Sequence, residues 1–433
     1  MTSSMVRYSF GRAPGAVPGL GQVLSLARGP LTFLASSRAH GDVVELRIGP
    51  KRAFLVCHRD VAWEVLRDPQ VFDKGGFFYD KARQVFGDGL PTCVWADHQR
   101  QRSLVQPGFH RSRLPAYIDV VREEIDALTA SWRPGQLVEP KPLLDSLFAR
   151  VTARFLFSAD LGEPAVAEIQ RSLPILLQGV FHRMLDPTGL WKTVPTRGNR
   201  RFTEARQRMR SAIDEVIGSY RASGADHGDV VSTLLAADLA DAELHDQILA
   251  LLTGGTETTA SVVAWSLYLL GTHPEAEARV HAEVDRLPGE RLDYLRRVVT
   301  EALRLYPPGW ILTRTTSTDT SLGGHPVRAG STIVLSPYVL HRDPAVFAEP
   351  DRFDPDRWLP DRSTGEHRKA FLPFGAAARK CVADVLSVTE AVAALAAITA
   401  NWRLRPAPGS RPRVVTGTAL SPGGLSMITA RRT

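Results

Sequence analysis

The sequence predicts a mainly α fold with a small β region, on three observations. Apolar residues recur at spacings of three and four through long stretches between Asp60 and Pro308. Short alternating runs bounded by turn residues are confined to the two ends of the chain. No composition shift or internal repeat divides the sequence, so residues 1–433 are expected to form one domain.

The elements follow in chain order. Residues 1–40 hold a Gly/Pro-rich lead-in (Pro14, Gly15, Pro18, Gly19, Gly21, Gly29, Pro30), read as extended chain on the surface. Val43 to Ile48 alternates apolar and polar residues, Gly49-Pro50 supplies a turn, and Ala53 to Val56 resumes an apolar strand, which is a hairpin signal. Helical spacing then marks Arg113 to Trp132, Lys141 to Phe157, Arg200 to Ala222 and Asp241 to Gly271. The last of these, at about 1.5 Å per residue, would span roughly 45 Å. It is apolar nearly all round, so burial is expected. Gln70 to Cys93 and Met184 to Asn199 read as loops, and their aromatics make them candidate pocket walls. Past Pro308, strands are expected at Thr332 to Leu335, Arg413 to Thr416 and Ser426 to Ala430, with a helix from Cys381 to Asn401.

Composition narrows the function. Apolar residues are 44% of the chain and charged residues 23%, which is ordinary for a globular protein and excludes a disordered or collagen-like one. There are 53 basic against 46 acidic side chains, a net charge of +7, but no run of five basic residues. That favours a mildly basic surface or a docking patch for an acidic partner over a nucleic-acid binder. No apolar run reaches the ~18 residues of a membrane span, and no secretion leader is apparent, so a cytoplasmic protein without a span is expected. Cys57, Cys93 and Cys381 are far apart, odd in number and in no CxxC pair, which argues against a disulfide framework or a structural zinc site.

Three segments stand out chemically. Leu251-Leu252-Thr253-Gly254-Gly255-Thr256-Glu257-Thr258-Thr259 sits in the middle of the long apolar helix. Each glycine costs a helix about 1 kcal/mol relative to Ala, and burying a carboxylate costs more. A packing kink would account for the glycines. So would a widening where a ligand approaches the backbone, with an acid–alcohol pair beside it. Glu301-Ala302-Leu303-Arg304 puts two charges on one helix face, a common surface pattern. Phe371 to Cys381 leads into a helix with Arg379 and Lys380 beside the cysteine, a setting that would lower a thiol pKa.

Taken together and in this order, these segments resemble the cytochrome P-450 family of haem-thiolate monooxygenases over nearly the whole chain. Phe374, Arg379 and Cys381 match its haem loop, Glu301 and Arg304 its ExxR helix, and Gly254 to Thr259 its oxygen-binding signature. Pro350-Asp351-Arg352-Phe353, followed by Pro355-Asp356-Arg357-Trp358, matches its PERF and FxPxRW region. The resemblance implies haem b, with Cys381 as the iron ligand and a structural ion network of Glu301, Arg304 and Arg352. It places His98 and Arg102, which follow Trp95, together with Arg314 and His341, at the haem propionates. It gives Glu257 and Thr258 the work of moving protons to bound dioxygen. Where the family usually has Gly four residues before the cysteine, this chain has Ala377, and a positive φ there would cost roughly 1–2 kcal/mol.

By the same analogy the substrate-facing residues are Phe77, Phe78, Tyr79 and Phe86; Leu176, Leu177, Val180 and Phe181; Gly254; Trp310, Ile311 and Leu312; and Leu420. None is charged, so a compact apolar substrate is expected. The stretches Gly309 to Thr315 and Phe353 to Pro360 are most similar to sesquiterpene oxygenases of the pentalenene type. The resemblance thus implies a monomeric enzyme that hydroxylates an unactivated carbon of a terpenoid with O2. A ferredoxin and its reductase would supply electrons, docking near Arg100, Arg111, Arg113, Lys369 and Lys380. Open alternatives are another apolar natural product (polyketide, steroid or fatty acid), a peroxide-using peroxygenase, and a non-catalytic haem sensor.

Overall fold

A 32-residue helix, Asp241–Thr272, runs through the centre of the molecule, and 20 of its residues are buried. The structure is a computed structural model and describes residues 8–157, 162–185, 194–237, 239–286 and 292–432. Asp241 and Glu243 in the first turn complement the positive end of the helix dipole. This central helix packs against Pro140–Leu156 on one side and against the cysteine-side helix Asp384–Asn401 on another. Val263, Leu267 and Leu270 join Leu147, Phe148, Val151, Leu395 and Ile398 in the largest apolar core.

A six-stranded sheet flanks the helices, in the order Phe10–Arg12, Val43–Ile48, Lys51–Val56, Thr332–Leu335, Leu312–Thr316, Phe72–Asp73. A smaller sheet joins Trp402–Pro406 and Met427–Arg431 to Leu137–Val138, and a separate hairpin pairs Arg413–Thr416 with Leu420–Gly423. The mainly α expectation stands, and the described strands fall into four separate sheets.

Three expectations about elements change. Gln70 to Cys93 is not all loop: Gly76–Phe86 is a helix, with Ala82 and Val85 buried on its inner face. The paired glycines at its start masked the helical spacing. The lead-in holds two short helices, Val23–Arg28 and Pro30–Ser37, the second opened by Pro30 at its first turn. Helices Gly162–Leu185 and Arg197–Ser223 take both ends of Met184 to Asn199, and residues 186–193 lie outside the described residues. By length and composition alone, Asp384–Asn401 is apolar enough to cross a membrane. Here Leu386, Ala391, Ala394, Leu395 and Ile398 are buried in the main core.

The Glu-x-x-Arg helix, Asp293–Leu305, carries the most elaborate polar network. Glu301 and Arg304 have no solvent exposure. The Arg304 guanidinium donates to both Glu301 oxygens (2.9 and 2.7 Å) and to the carbonyls of His341, Pro350 and Arg352. Glu301 also accepts from the Trp358 indole at 2.9 Å, the Asp354 amide at 3.2 Å and the Arg357 guanidinium at 3.5 Å. Arg352 thus contributes only its carbonyl. Its side chain is 63% exposed and pairs with Glu349. The second cation on Glu301 is Arg357, buried in the turn Pro355–Trp358 that packs on this helix. Both Pro-Asp-Arg repeats present an arginine, and the fold turns only the second one inward.

Candidate active site

A cavity of about 410 Å³ lies between the central helix and the cysteine segment. Its walls are largely apolar, with Leu251, Gly254, Phe109, Phe155, Val262, Leu303, Leu312, Phe374 and Val382 among them. The two signature glycines do different work. A Cβ on Gly254 would meet nothing, so Gly254 keeps the cavity open. A Cβ on Gly255 would come within 2.7 Å of the Thr152 hydroxyl, so Gly255 also lets two helices close up.

Cys381 faces this cavity from three residues before the helix Asp384–Asn401, not from its first turn. Its amide donates to the Phe374 carbonyl at 3.0 Å, closing the loop. The thiol opens into the cavity and is otherwise enclosed by protein, and burial raises its pKa. The lowered value expected from neighbouring cations does not arise, because burial outweighs the Ala383 amide, Arg102 and Lys74, and Asp384 raises it further. Ala377 has φ of 56°, so this alanine holds the left-handed conformation that a glycine would adopt more cheaply.

Lys74, Arg102, Arg314 and Arg379, with the imidazole of His98, line the cavity together. Burial, then neighbouring arginines, pushes Lys74 down to about 7. Burial and Arg379 push His98 down to about 4. Arg379 Nε and His98 Nδ1 are buried without a hydrogen-bond partner. A buried guanidinium and a neutral imidazole with orphaned nitrogens, among further cations, call for an anion, and the propionates of a haem whose iron faces Cys381 would supply two. The residues present fit that group.

His341 does not share this role. It lies away from the cavity, fully buried, with Nδ1 on the Arg304 carbonyl at 3.2 Å and Nε2 accepting from the Leu372 amide at 2.8 Å. Burial pushes it down to about 3, so a neutral imidazole ties the Glu-x-x-Arg helix to the cysteine segment.

Thr258 lines the cavity, and its hydroxyl donates to the Gly254 carbonyl one turn back at 2.6 Å. Glu257 faces elsewhere, into a second cavity of about 290 Å³, where the Thr418 hydroxyl donates to it. Burial raises its pKa. A further buried carboxyl, Glu390, lines the first cavity beside Tyr117 and Thr259, whose hydroxyl lies 3.4 Å away. Burial pushes Glu390 up to about 8.

Of the expected substrate-facing residues, Gly254, Leu312 and Tyr79 line the first cavity. Trp310 is buried in a neighbouring core with Leu420, its indole donating to the Gly417 carbonyl at 3.0 Å, and Ile311 packs on the same core. Leu176 and Val180 are buried toward the helix Arg197–Ser223, and Phe86 packs on that cluster. Leu177 lines the second cavity. Phe78 lies against Ile48 and Pro50 in a small surface hollow. The side chains of Phe77 and Phe181 lie outside the described residues. Lys74, Tyr117 and Glu390 were missed by sequence reasoning. Glu390 carried the same signal as Glu257, an acid within an otherwise apolar helical run.

Known proteins share this architecture. The chain is 48% identical to cyclooctatin synthase of Streptomyces melanosporofaciens, over 96% of this chain and 94% of the relative. It is 45% identical to cyclooctat-9-en-7-ol 5-monooxygenase of the same organism, over 97% and 95%. Identity to pentalenene oxygenase of Streptomyces avermitilis is 40%, over 99% of both chains. The crystal structure of the cytochrome P450DA heme domain shares the fold, with a TM-score of 0.86 at 24% identity over 99% of both chains. Residues 12–429 match the Cytochrome P450 family model, and with the cysteine-faced, cation-lined cavity this establishes that the chain belongs to the cytochrome P450 family of haem-dependent monooxygenases.

Proposed function

We propose that this enzyme hydroxylates an unactivated carbon of an apolar terpenoid, drawing electrons from a separate ferredoxin and its reductase, with residues 1–433 acting as one catalytic domain. The observation that carries the substrate class is the cavity itself. Its walls around the central helix are apolar, and its cations are those assigned to the haem propionates. The relatives whose names state a terpenoid reaction support the same reading. Identity is higher to the two cyclooctatin enzymes than to pentalenene oxygenase, so the substrate need not be a sesquiterpene.

In this reading Cys381 takes the iron, and Arg102, His98, Arg314, Arg379 and Lys74 hold the propionates. The haem, when bound, activates dioxygen, and a thiolate ligand favours O–O cleavage. The chain's own contribution is to orient and to exclude water. Gly254 leaves room against the helix, Leu312 and Leu251 bound the substrate space from the side, and Thr258 offers a hydroxyl to that space.

The test is a titration of the holoenzyme with terpene hydrocarbons and terpene alcohols, including pentalenene and cyclooctat-9-en-7-ol, reading the low-to-high spin shift of the haem. Terpenoids should shift the spectrum, and long-chain fatty acids should not. A fatty acid that binds more tightly than every terpenoid would overturn the substrate class.

A further inference from the structure

Charge is spread unevenly along the chain. Residues 1–59 carry eight basic side chains and two acidic ones, so they hold six of the seven net positive charges of the whole sequence. An asymmetry of this kind points to an anionic partner. Arg12 and Arg52 pair with Glu45, Arg38 with Asp343 and Arg59 with Glu366. Among the described residues, Arg28 and Arg47 are exposed and have no acidic partner.

The same segment exposes aliphatic side chains. Val17, Leu20 and Leu24 are 40%, 43% and 41% exposed. The lead-in that carries them is fastened to the tip of the first hairpin. The Gly49 amide donates to the Leu20 carbonyl at 3.0 Å and the Gln22 amide to the Arg47 carbonyl at 2.7 Å. The Arg47 amide donates in return to the Gln22 side chain at 2.6 Å. A Cβ on Gly21 would come within 2.7 Å of the Arg47 Cβ, so glycine lets the lead-in lie flush beside that arginine. On the helix Val23–Arg28, Leu24 and Arg28 stand four residues apart and share a face. At the hairpin tip Pro50, Lys51 and Arg52 are exposed. Three exposed aliphatic side chains and the cations Arg28, Arg47, Lys51 and Arg52 therefore sit on adjoining segments.

We propose that the lead-in and the hairpin tip form a face that docks reversibly on an anionic lipid bilayer, with the aliphatic side chains entering the headgroup layer and the cations meeting lipid phosphates. Charge alone would suit an acidic protein or a nucleic acid equally. Aliphatic side chains set among the cations match a surface that is anionic outside and hydrocarbon beneath. Docking of this kind needs no membrane span. It goes beyond the terpenoid reading and does not depend on it.

The test is sedimentation of the holoenzyme with vesicles, which reads neither substrate nor turnover. Phosphatidylglycerol vesicles should carry the protein down at low salt and phosphatidylcholine vesicles should not, and binding should fall as salt is raised. Arg28→Gln and Arg47→Gln should each weaken it about fivefold. Leu20→Ser combined with Leu24→Ser should weaken it several-fold. Arg122→Gln, an exposed arginine on the helix Leu114–Thr129, should leave it unchanged. All these variants should keep the wild-type haem spectrum and melting temperature, because the side chains changed are exposed. Equal binding to both lipids, binding to neither, or phosphatidylglycerol binding untouched by the arginine or the leucine variants overturns the proposal. Loss of ferredoxin binding in the arginine variants, with no vesicle binding by the wild type, would overturn it in favour of an acidic protein.

Discussion

Replacing Arg357 by Ala, with Arg352→Ala as its control, tests the buried network directly. Arg357 is 5% exposed, contacts Glu301 and donates to the carbonyls of Ala348 and Glu349. Its loss takes a donor from the part-buried Ala348 carbonyl and leaves Glu301 with one cation fewer, while the Glu349 carbonyl keeps the Arg352 amide and Arg304 and Trp358 still hold Glu301. Losing one cation from a buried carboxylate and the donor to one part-buried carbonyl should cost about 1–3 kcal/mol in Arg357→Ala. Arg304→Ala removes five hydrogen bonds and should cost about 3–5 kcal/mol, a large part of a stability of about 5–15 kcal/mol. Arg352 exchanges an exposed pair with Glu349 for water and should leave stability unchanged. Guanidinium unfolding of the three variants, followed by circular dichroism and by haem retention, gives the order of their midpoints. Arg352→Ala as damaging as Arg357→Ala, or Arg304→Ala with wild-type midpoint and full haem content, would refute the reasoning.

Four more outcomes are expected. Ala377→Gly relieves the positive φ at some cost in unfolded-chain entropy, so thermal melting should rise by the equivalent of about 1 kcal/mol; a lower melting temperature would count against strain at this position. Thr258→Ala should bind substrate normally and consume reductant, but release hydrogen peroxide and form little product; a fully coupled variant would show that the hydroxyl is dispensable. Glu390 is pushed up to about 8, above its unfolded value, so the stability held by its neutral form is complete below about pH 4.5 and lost as pH rises through 8. Glu390→Gln should therefore gain on the wild type in melting temperature between pH 5 and 8, and a pH-independent difference would sink the assignment. Ferredoxin-supported turnover should fall with ionic strength. Arg100, Lys369 and Lys380 already pair with Glu243, Asp60 and Asp384, so charge reversal at Arg111 and Arg113 should weaken turnover most; equal effects at all five would argue against that ranking.

The long helices were legible because their apolar spacing is unbroken. Asp241–Thr272 and Arg197–Ser223 lie within a few residues of their expected ends. Gly76–Phe86 was not legible, because Gly75-Gly76 and three successive aromatics read as a loop. Its helix forms around a buried face of Ala82 and Val85, and that burial depends on tertiary neighbours. The lead-in misled for the opposite reason: Gly29 and Pro30 sit at the junction of two helices, where both residues are tolerated.

The site was legible where a residue type is costly without a purpose, and not where only orientation decides. A cysteine among cations and a glycine pair in a buried helix each carry an energetic cost, and both lie on the cavity, whereas Glu301 and Arg304 read alone as a common surface pair and only the fold buries them. Trp310, Val180 and Leu420 cost nothing to bury in an ordinary core, so their apolar character could not tell a wall from packing. Arg352 and Arg357 stand in near-identical motifs, and only the turn at Pro355 selects which guanidinium reaches Glu301. The same limit applies to Glu257 and Thr258. Adjacent residues on a helix point about 100° apart, so a sequence that names both as partners places them on one wall. The fold gives each its own cavity, on different faces of the central helix.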